Sequence, residues 1–365
     1  MNTNKAITEI FKQFRPQDAV VSVEPFGNGH INDTLKVVTP AGEADYILQR
    51  INHHIFTNVD MLQHNICLVT SHIRNKLIAR GETDIDRKVL SFLPAQDGKY
   101  YYFDGENYWR VSRFIPLSQS YETITPELSY QAGKAFGDFQ AMLSDLPPGA
   151  LGETIPNFHN MEFRLQQFYE AVKANAAGRL GEDEVGFLSD EIRSRAEEMC
   201  IQEKLFREGK LRKRINHCDT KVNNVLFDEN GNVLCVIDLD TVMPGFVLSD
   251  IGDFIRTGAN TGAEDDVNLE NISVNMEIFK AYVQGYMKTA RSFLSSLEIE
   301  LLAYGGRLLT YMQTVRFLTD YLNGDVYYKI HHPEHNLQRA RAQFRLLLNL
   351  ELHSRKMNEY INKWL

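Results

Sequence analysis

Residues 217–240 read His-Cys-Asp-Thr-Lys-Val-Asn-Asn-Val-Leu-Phe-Asp-Glu-Asn-Gly-Asn-Val-Leu-Cys-Val-Ile-Asp-Leu-Asp, and the rest of the chain is interpreted from this stretch. Two short apolar runs flank an Asn-Gly turn, a pattern typical of a β-hairpin. Such a hairpin is predicted to carry Asp219 and Asn224 at its base. It is also predicted to return Asp238 beside them.

The polar residues at the ends of this hairpin match the needs of phosphoryl transfer. That reaction requires an acid that orients the attacking hydroxyl, together with an amide and a second acid that hold Mg²⁺ on the phosphates. Asp219 is the predicted catalytic acid, and Asn224 and Asp238 are the predicted Mg²⁺ ligands. Asp240 either reaches the metal as well or caps the strand, and His217 is expected to brace the loop. The stretch therefore predicts a small-molecule kinase that uses ATP and Mg²⁺.

Composition disfavours several other classes of protein. The chain has 365 residues and a net charge of -9, which argues against a nucleic-acid partner because such proteins present a basic face. The four cysteines form no C-x-x-C pair, so neither a zinc site nor a disulfide framework is expected. The first residues are too charged for a signal-peptide core, and no apolar run approaches the roughly 20 residues of a membrane span. We expect a cytoplasmic protein without a membrane partner.

Hydrophobic periodicity divides the chain into a β-rich part and a helical part. Strands are predicted at 20–26, 34–38, 45–51, 89–93, 100–103 and 109–114, with helices at 7–14 and 59–79. Further helices are predicted at 126–146, 159–175, 183–208, 274–290, 297–322 and 335–363. The predicted fold class is α+β. A small antiparallel-sheet, nucleotide-binding lobe (1–114) precedes a large, mostly helical lobe (115–365) that contains the catalytic hairpin and binds the substrate.

Six blocks of sequence are distinctive: Gly-Asn-Gly-His-Ile-Asn (27–32), Asp-Thr-Lys-Val-Asn-Asn-Val (219–225), Cys-Val-Ile-Asp-Leu-Asp-Thr-Val-Met-Pro-Gly (235–245), Asp-Ile-Gly-Asp-Phe-Ile-Arg (250–256), 316–327 and 333–337. These blocks, which span most of the chain, resemble the aminoglycoside phosphotransferase and choline kinase superfamily, relatives of the protein kinases. Within the superfamily, the longer blocks look most similar to the N-acetylhexosamine 1-kinases. The resemblance implies a protein-kinase-like two-lobe fold. It also implies a role in carbohydrate metabolism: transfer of phosphate from ATP to the anomeric hydroxyl of N-acetylglucosamine or N-acetylgalactosamine.

The turn Gly27-Asn28-Gly29 lies between two predicted strands rather than before a helix, which excludes a Walker-type loop. Its backbone N–H groups are predicted to close over the phosphates of ATP. Phe114 and Ile115 occupy the connector expected to serve as the adenine-binding hinge, although plain packing would explain them equally well.

One part of the chain departs from the kinase pattern. The third strand of a kinase carries a lysine that binds the α- and β-phosphates. In this chain the equivalent position is occupied by Gln49, and Arg50 is next to it. Arginine binds phosphate well through its planar fork, so Arg50 is preferred, with Asp60 as its suggested acidic partner. Strand alternation nevertheless points Gln49 and Arg50 to opposite faces, which leaves both as candidates.

The resemblance also assigns the acceptor site. It implies that Arg316 and Tyr327 contact the sugar together with Asp219, and that His30 faces the sugar or the phosphates. Without the resemblance, Arg316 and Asp320 would be read as a surface ion pair, because residues four apart are neighbours on a helix. Two other readings stay open: a kinase of the same fold acting on an aminoglycoside or choline, and a non-catalytic nucleotide-binding protein.

The same block 250–256 contains two acids near a glycine, Asp250 and Asp253. We expect them to be structural, anchoring the catalytic hairpin by accepting hydrogen bonds from its backbone N–H groups.

Overall fold

A computed structural model describes residues 3–27 and 31–365. The chain forms two compact units, each assembled from separate stretches of sequence. The sheet unit comprises Met1–Ser120, Gly149–Ile155 and Val225–Met243, and the helical unit comprises Tyr121–Pro148, Pro156–Asn224 and Pro244–Leu365. Among the described residues, no helix is both long enough and apolar enough to cross a membrane.

The sheet unit contains an antiparallel sheet of six strands. They are β1 (Ser22–Pro25), β2 (Asp33–Val38), β3 (Tyr46–Ile51), β4 (Phe92–Leu93), β5 (Tyr102–Phe103) and β6 (Tyr108–Arg113). The order is β1-β2-β3-β6-β4, and β5 also pairs with β6. In this register Gln49 lies opposite Arg110, while Arg50 lies opposite Asp33 and Trp109. Because directly opposed residues share a face of the sheet, Gln49 and Arg110 lie on one face and Arg50 on the other.

Helices of the sheet unit are α1 (Thr3–Phe11), α2 (Val59–Ala79) and α3 (Ile85–Lys88). The helix predicted over 7–14 is observed as α1, which begins earlier and ends at Phe11, and Phe11 and Phe14 are buried in the core beside β2, β3 and β6. The bounds predicted for the second helix are those observed. Its start is set by Asn58, whose side chain accepts a hydrogen bond from the Met61 N–H.

The catalytic hairpin consists of β8 (Val225–Phe227) and β9 (Val233–Val236), which pair antiparallel. Gly231 has a φ of 78°, so the predicted Asn-Gly turn is confirmed. The second strand of the hairpin stops short of Asp238. The strand ends at Val236, Asp238 adopts the left-handed conformation with φ 59° and ψ 60°, and a single 3-10 turn follows at Leu239–Thr241.

The helical unit is built from nine α-helices among its described residues: α4 (Pro126–Leu143), α5 (Met161–Ala174), α6 (Asp183–Met199), α7 (Ile201–Arg207), α8 (Val247–Thr257), α9 (Met276–Ala290), α10 (Ser296–Glu300), α11 (Leu302–Leu322) and α12 (His335–Ile361). The short strands β7 (Arg214–Asn216) and β10 (Met243–Gly245) lie between them in the sequence. With the sheet described above, these helices confirm the predicted α+β class.

Three features of these helices differ from the prediction. The helix expected over 183–208 breaks at Cys200, and the one expected over 297–322 breaks at Leu301, where ψ is close to zero in both cases. The helix α8 is absent from the prediction. Its apolar residues Val247, Leu248, Ile251, Phe254 and Ile255 recur at helical spacing, so the sequence did carry a signal for this helix, and folding buries the polar side as well.

Close packing holds α8 against α11. A Cβ added to Gly252 would lie 2.3 Å from the backbone oxygen of Gly305, so only glycine permits this approach. The packing fixes the position of α8, which carries the two acids Asp250 and Asp253.

Candidate active site

The helical unit holds Asp219 in a network of short contacts. The Nδ2 group of Asn224 donates to the backbone oxygen of Asp219 at 2.8 Å and to its carboxylate Oδ2 at 3.0 Å. The ammonium group of Lys221 lies 3.1 Å from the other oxygen, Oδ1. The Asp219 side chain is still 25% exposed, so a ligand can reach the carboxylate.

Charge and burial act in opposite directions on Asp219. Burial alone would raise the pKa of this carboxyl, but the charge of Lys221 and the hydrogen bond from the Asn224 amide lower the pKa below its usual value. Asp219 is therefore ionised at neutral pH. It is a weak base, suited to orienting a hydroxyl rather than to removing its proton early.

Asp250 anchors the start of residues 217–224, the predicted catalytic loop. Its carboxylate accepts hydrogen bonds from the backbone N–H groups of His217 at 2.9 Å and Cys218 at 2.7 Å, and from Nε2 of Gln140 at 2.6 Å. Burial raises the pKa of this carboxyl to about 6, despite the opposing effect of these donors. Cys218 itself has a φ of 64°, a conformation that this anchoring helps to hold.

Asp253, one turn further along α8, accepts from the Thr220 N–H at 3.0 Å. The expectation that Asp250 and Asp253 anchor the hairpin through backbone N–H groups is thus confirmed. The ring of His217 packs edge-on against Phe136 and Phe139, and its Nδ1 accepts from the Asp219 N–H at 3.3 Å. His217 therefore braces the loop, as expected.

Arg316, on α11, lies among aromatic rings of the helical unit. Its guanidinium carbon is 5.2 Å from the ring centroid of Phe158, 5.8 Å from Tyr327 and 5.5 Å from Tyr328. Tyr327 is 57% exposed, which leaves one aromatic surface open to a ligand. We call these four residues the arginine–aromatic cluster.

The alternative reading of Arg316 and Asp320 as a surface ion pair is wrong. Asp320 is buried and accepts from the backbone N–H groups of residues 326–328 at 2.8–3.0 Å. Arg316 instead donates to Oε1 of Gln313 at 2.9 Å. Asp320 thereby fixes the loop that carries Tyr327.

Sequence reasoning missed two further residues beside this cluster. His159 stacks on Phe158 with ring centroids 4.3 Å apart, and burial and the charges of Arg316 and Arg164 hold the pKa of His159 well below its usual range, against the opposing charge of Asp219. Burial and the neighbouring Arg316 also lower the pKa of Arg164 to about 10. No motif marks these residues, because only folding brings them near Arg316.

The sheet unit contains the remaining predicted polar residues. Asp240 forms an ion pair with Arg110, with Oδ1 and Nη1 2.5 Å apart, and both side chains are only 3% exposed. Its other oxygen accepts from Nδ2 of Asn32 at 2.6 Å. The predicted role of Asp240 as a strand cap is wrong, since it lies in the 3-10 turn that follows Asp238.

Gln49 and Arg50 have different environments. Gln49 accepts from Nε of Arg110 at 3.0 Å, whereas Arg50 is 47% exposed and donates from Nε to Oδ2 of Asp33 at 2.7 Å. The two residues thus cannot contact the same ligand. Asp60, the suggested partner of Arg50, instead accepts from the hydroxyl of Tyr101 at 2.7 Å.

Of the predicted glycine turn, Gly27 has a φ of 74°, which suits a tight turn, while Asn28, Gly29 and His30 lie outside the described residues. In the predicted hinge, Phe114 meets the ring of Phe26 edge-on at 5.7 Å, and Ile115 is buried. The nucleotide contacts predicted for these residues therefore stay predictions.

Comparison with known proteins identifies the family. Residues 22–282 match the model of the phosphotransferase enzyme family, which is more than half of the chain. This chain belongs to that family. The matched range includes residues 217–240, from which the function was predicted, and the helix α8.

Solved structures show that the fold is that of aminoglycoside phosphotransferases. An aminoglycoside phosphotransferase from Alicyclobacillus acidocaldarius superposes with a TM-score of 0.66 at 11% identity, covering 98% of this chain and 96% of that chain. Spectinomycin phosphotransferase in complex with ADP and spectinomycin gives 0.58 at 12%, covering 97% and 99%. Ethanolamine kinase from Plasmodium vivax gives 0.51 at 14%, covering 88% and 82%. The kinase-like fold expected from the sequence is confirmed.

The donor set of this phosphotransferase suits a magnesium ion. Both hydrogen bonds of the Asn224 side chain use Nδ2, and among the described residues none donates to its Oδ1. An amide oxygen left without a donor is a suitable ligand for a hard cation, so Asn224 would suit its predicted role as a magnesium ligand. Asp238 belongs to the sheet unit, and its role as a ligand stays a prediction.

Proposed function

We propose that this phosphotransferase is an ATP- and Mg²⁺-dependent kinase that phosphorylates the anomeric hydroxyl of an N-acetylhexosamine to give the 1-phosphate and ADP. The observation that carries the proposal is the setting of Asp219, an ionised and partly exposed carboxylate fixed by Asn224 and Lys221. In phosphoryl transfer such a carboxylate orients the acceptor hydroxyl.

In the proposed reaction the acceptor oxygen forms a bond to the γ-phosphorus while the bond to the ADP oxygen breaks. The hydroxyl proton, which hydrogen-bonds to Asp219 in the ground state, passes to that carboxylate late in the step. A bound magnesium ion supplies charge neutralisation on the phosphates, and Asn224 and Asp238 are its proposed ligands. Most of the rate enhancement then comes from positioning and fixed charge, since the transition state of phosphoryl transfer is loose.

The sheet unit is the proposed nucleotide-binding part. The turn Gly27-Asn28-Gly29 is proposed to lie over the phosphates, and the connector Phe114–Ile115 beside the adenine. Support comes from the ADP bound in the structure of the similar spectinomycin phosphotransferase. Of the two candidates for contact with the α- and β-phosphates, Gln49 shares a sheet face with the buried Arg110, whereas Arg50 is paired with Asp33 on the other face.

The arginine–aromatic cluster supports a neutral sugar as acceptor. Two arginines, Arg316 and Arg164, would repel a cationic aminoglycoside or choline. A sugar instead offers hydroxyl and amide oxygens to the guanidinium groups, and a ring face that can stack on the exposed Tyr327. His159 is held neutral beside this cluster by burial and by the charges of Arg316 and Arg164, so it adds no further positive charge. His30 is proposed to complete this site together with Asp219.

A panel of acceptors tests the proposal. The protein is incubated with ATP, Mg²⁺ and either N-acetylglucosamine, N-acetylgalactosamine, plain hexoses, an aminoglycoside, choline or ethanolamine, and the product is located by ³¹P NMR. A 1-phosphate of an N-acetylhexosamine, formed only when Mg²⁺ is present, is the expected result. Phosphorylation of the amino-alcohols alone would replace the sugar assignment, and nucleotide binding without turnover on any acceptor would favour a non-catalytic role.

A further inference from the structure

A buried arginine lies beside the position where the nucleotide-binding strand of a kinase would carry its lysine. Gln49 occupies that position on β3, and Arg110 lies directly opposite on β6. Since opposed residues share a sheet face, the guanidinium of Arg110 projects from the same face as Gln49. Their side chains also meet, because Nε of Arg110 donates to Oε1 of Gln49 at 3.0 Å.

Arg110 is held rigidly on that face. Nη1 pairs with Asp240 at 2.5 Å, and the guanidinium carbon lies 5.4 Å from the ring centroid of Phe92. Asp240 is itself fixed by Asn32, whose Oδ1 accepts from the Asn52 N–H at 2.9 Å. The network thus runs from Asn32, which immediately precedes β2, to the 3-10 turn that follows Asp238.

The contacts of Arg110 leave part of its donor fork unused. A guanidinium has five N–H donors, and the contacts described above involve only Nε and Nη1. Among residues 3–27 and 31–365, no acceptor bonds to Nη2. A rigid fork with unused donors matches the planar, bidentate recognition of a phosphate.

We propose that Arg110 provides the fixed positive charge for the nucleotide phosphates, in place of the lysine that β3 lacks, and that Asp240 and Gln49 are positioning residues for its guanidinium. This inference rests on the proposed function, because it requires that the sheet unit bind ATP. It also gives the two acids of the segment Asp238-Leu239-Asp240 different roles: Asp238 is a proposed metal ligand, and Asp240 positions the guanidinium of Arg110.

Binding measurements without turnover test the inference. Dissociation constants of ATP, ADP and adenosine are measured by calorimetry in EDTA for the wild-type protein, Arg110→Met and Arg50→Met. For Arg110→Met we expect ATP and ADP to bind roughly 10- to 100-fold more weakly, with adenosine changed by less than about twofold. A loss for adenosine as large as that for ATP, or an unchanged ATP constant, overturns the inference. A selective loss of ATP and ADP in Arg50→Met would transfer the role to Arg50.

The outcome is separable from failure of the proposed function. If the wild-type protein binds ATP no better than adenosine, both in EDTA and when Mg²⁺ is added, the proposed function itself is wrong. If wild-type ATP binding is intact and Arg110→Met leaves it unchanged, only the inference about Arg110 fails. Because Arg110→Met leaves Asp240 buried without a counter-charge, a double variant, Arg110→Met with Asp240→Asn, removes both charges. The double variant is expected to fold and still to lack the preference for phosphates. Recovery of the wild-type preference would mean that Arg110 only neutralises Asp240.

A matched control comes from the helical unit. Arg214 forms a similarly buried ion pair with Glu298, with Nε and Oε1 2.8 Å apart. Arg214→Met should destabilise the protein as a broken buried pair does, yet leave the ratio of ATP to adenosine affinity unchanged. If Arg214→Met also lowers the ratio of ATP affinity to adenosine affinity, destabilisation alone weakens phosphate binding. The effect of Arg110→Met would then no longer support a contact between Arg110 and the phosphates.

Discussion

Replacing Asp250 with asparagine removes a buried charge from the anchor of the catalytic loop while keeping the shape of the side chain. In the folded protein, burial raises the pKa of this carboxyl from 3.8 to about 6. A difference of that size corresponds to about 3 kcal/mol. Between these two pKa values the folded protein holds a proton that the unfolded chain has released, so the free energy of unfolding falls as the pH rises through this window.

An asparagine side chain cannot titrate, so the Asp250→Asn variant lacks this contribution. We therefore expect the wild-type free energy of unfolding, relative to the variant, to fall by about 3 kcal/mol between about pH 4 and about pH 7. Urea unfolding followed by circular dichroism at several pH values measures this difference. Parallel pH profiles for the two proteins would contradict the expectation, because they would show that Asp250 does not titrate in this window.

Asp228 provides a control of opposite sign. Hydrogen bonds from the side chain and backbone of Asn232, and from the backbone of Asn230, lower the pKa of Asp228 in the hairpin turn. Its contribution is therefore present above its unfolded-state pKa and is lost as the pH falls, so the difference between wild type and Asp228→Asn should run in the other direction.

The substitution at Asp250 should also slow catalysis. Asparagine presents an NH₂ group to at least one of the donors that now meet a carboxylate oxygen, namely His217, Cys218 or Gln140. The loop must shift to relieve this contact, and a shift of about 1 Å at a reacting group costs on the order of 100-fold in rate. A kcat equal to that of the wild type at neutral pH would show that the anchor does not position the loop.

Three further substitutions test the proposed roles in catalysis. Asp219→Asn should lower kcat by roughly 10²- to 10⁴-fold with a modest change in KM, and near-normal turnover would remove Asp219 from the chemistry. Asp238→Ala should abolish Mg²⁺-dependent ATP use, so activity at low Mg²⁺ would contradict the ligand assignment. Arg316→Ala should raise the KM of the sugar roughly 10- to 100-fold and leave ATP affinity within about twofold. The control for Arg316→Ala is Arg307→Ala, which removes an arginine of the same helix that contacts the ring of Tyr304. If Arg316→Ala weakens ATP binding instead, Arg316 has been assigned to the wrong pocket.

Much of the architecture could be predicted because local patterns specify it. The bounds of α2 follow from its apolar period and the cap at Asn58, and the start of α4 from Thr125 followed by Pro126. The hairpin turn follows from the intrinsic preference of Asn-Gly for left-handed backbone. These features depend on residues close in sequence, so they could be predicted without knowledge of the tertiary contacts.

Other features could not be predicted because distant residues determine them. The apolar period of α8 is present in the sequence, but the burial of its polar side depends on packing against distant helices. The breaks at Cys200 and Leu301 lie within continuous helical periods. Likewise His159 carries no motif and becomes notable only where folding stacks it on Phe158 beside two arginines.

For the hairpin itself, residue type and spacing were enough to select the residues proposed to carry the chemistry, Asp219, Asn224 and Asp238. Their surroundings became visible only in the folded chain. Folding places Asp250 as the buried anchor of the loop and Arg110 as the partner of Asp240, a residue 130 positions away in the chain. The physical reason is that the environment of a charge depends on burial and on partners brought together by folding, and neither is encoded in local sequence.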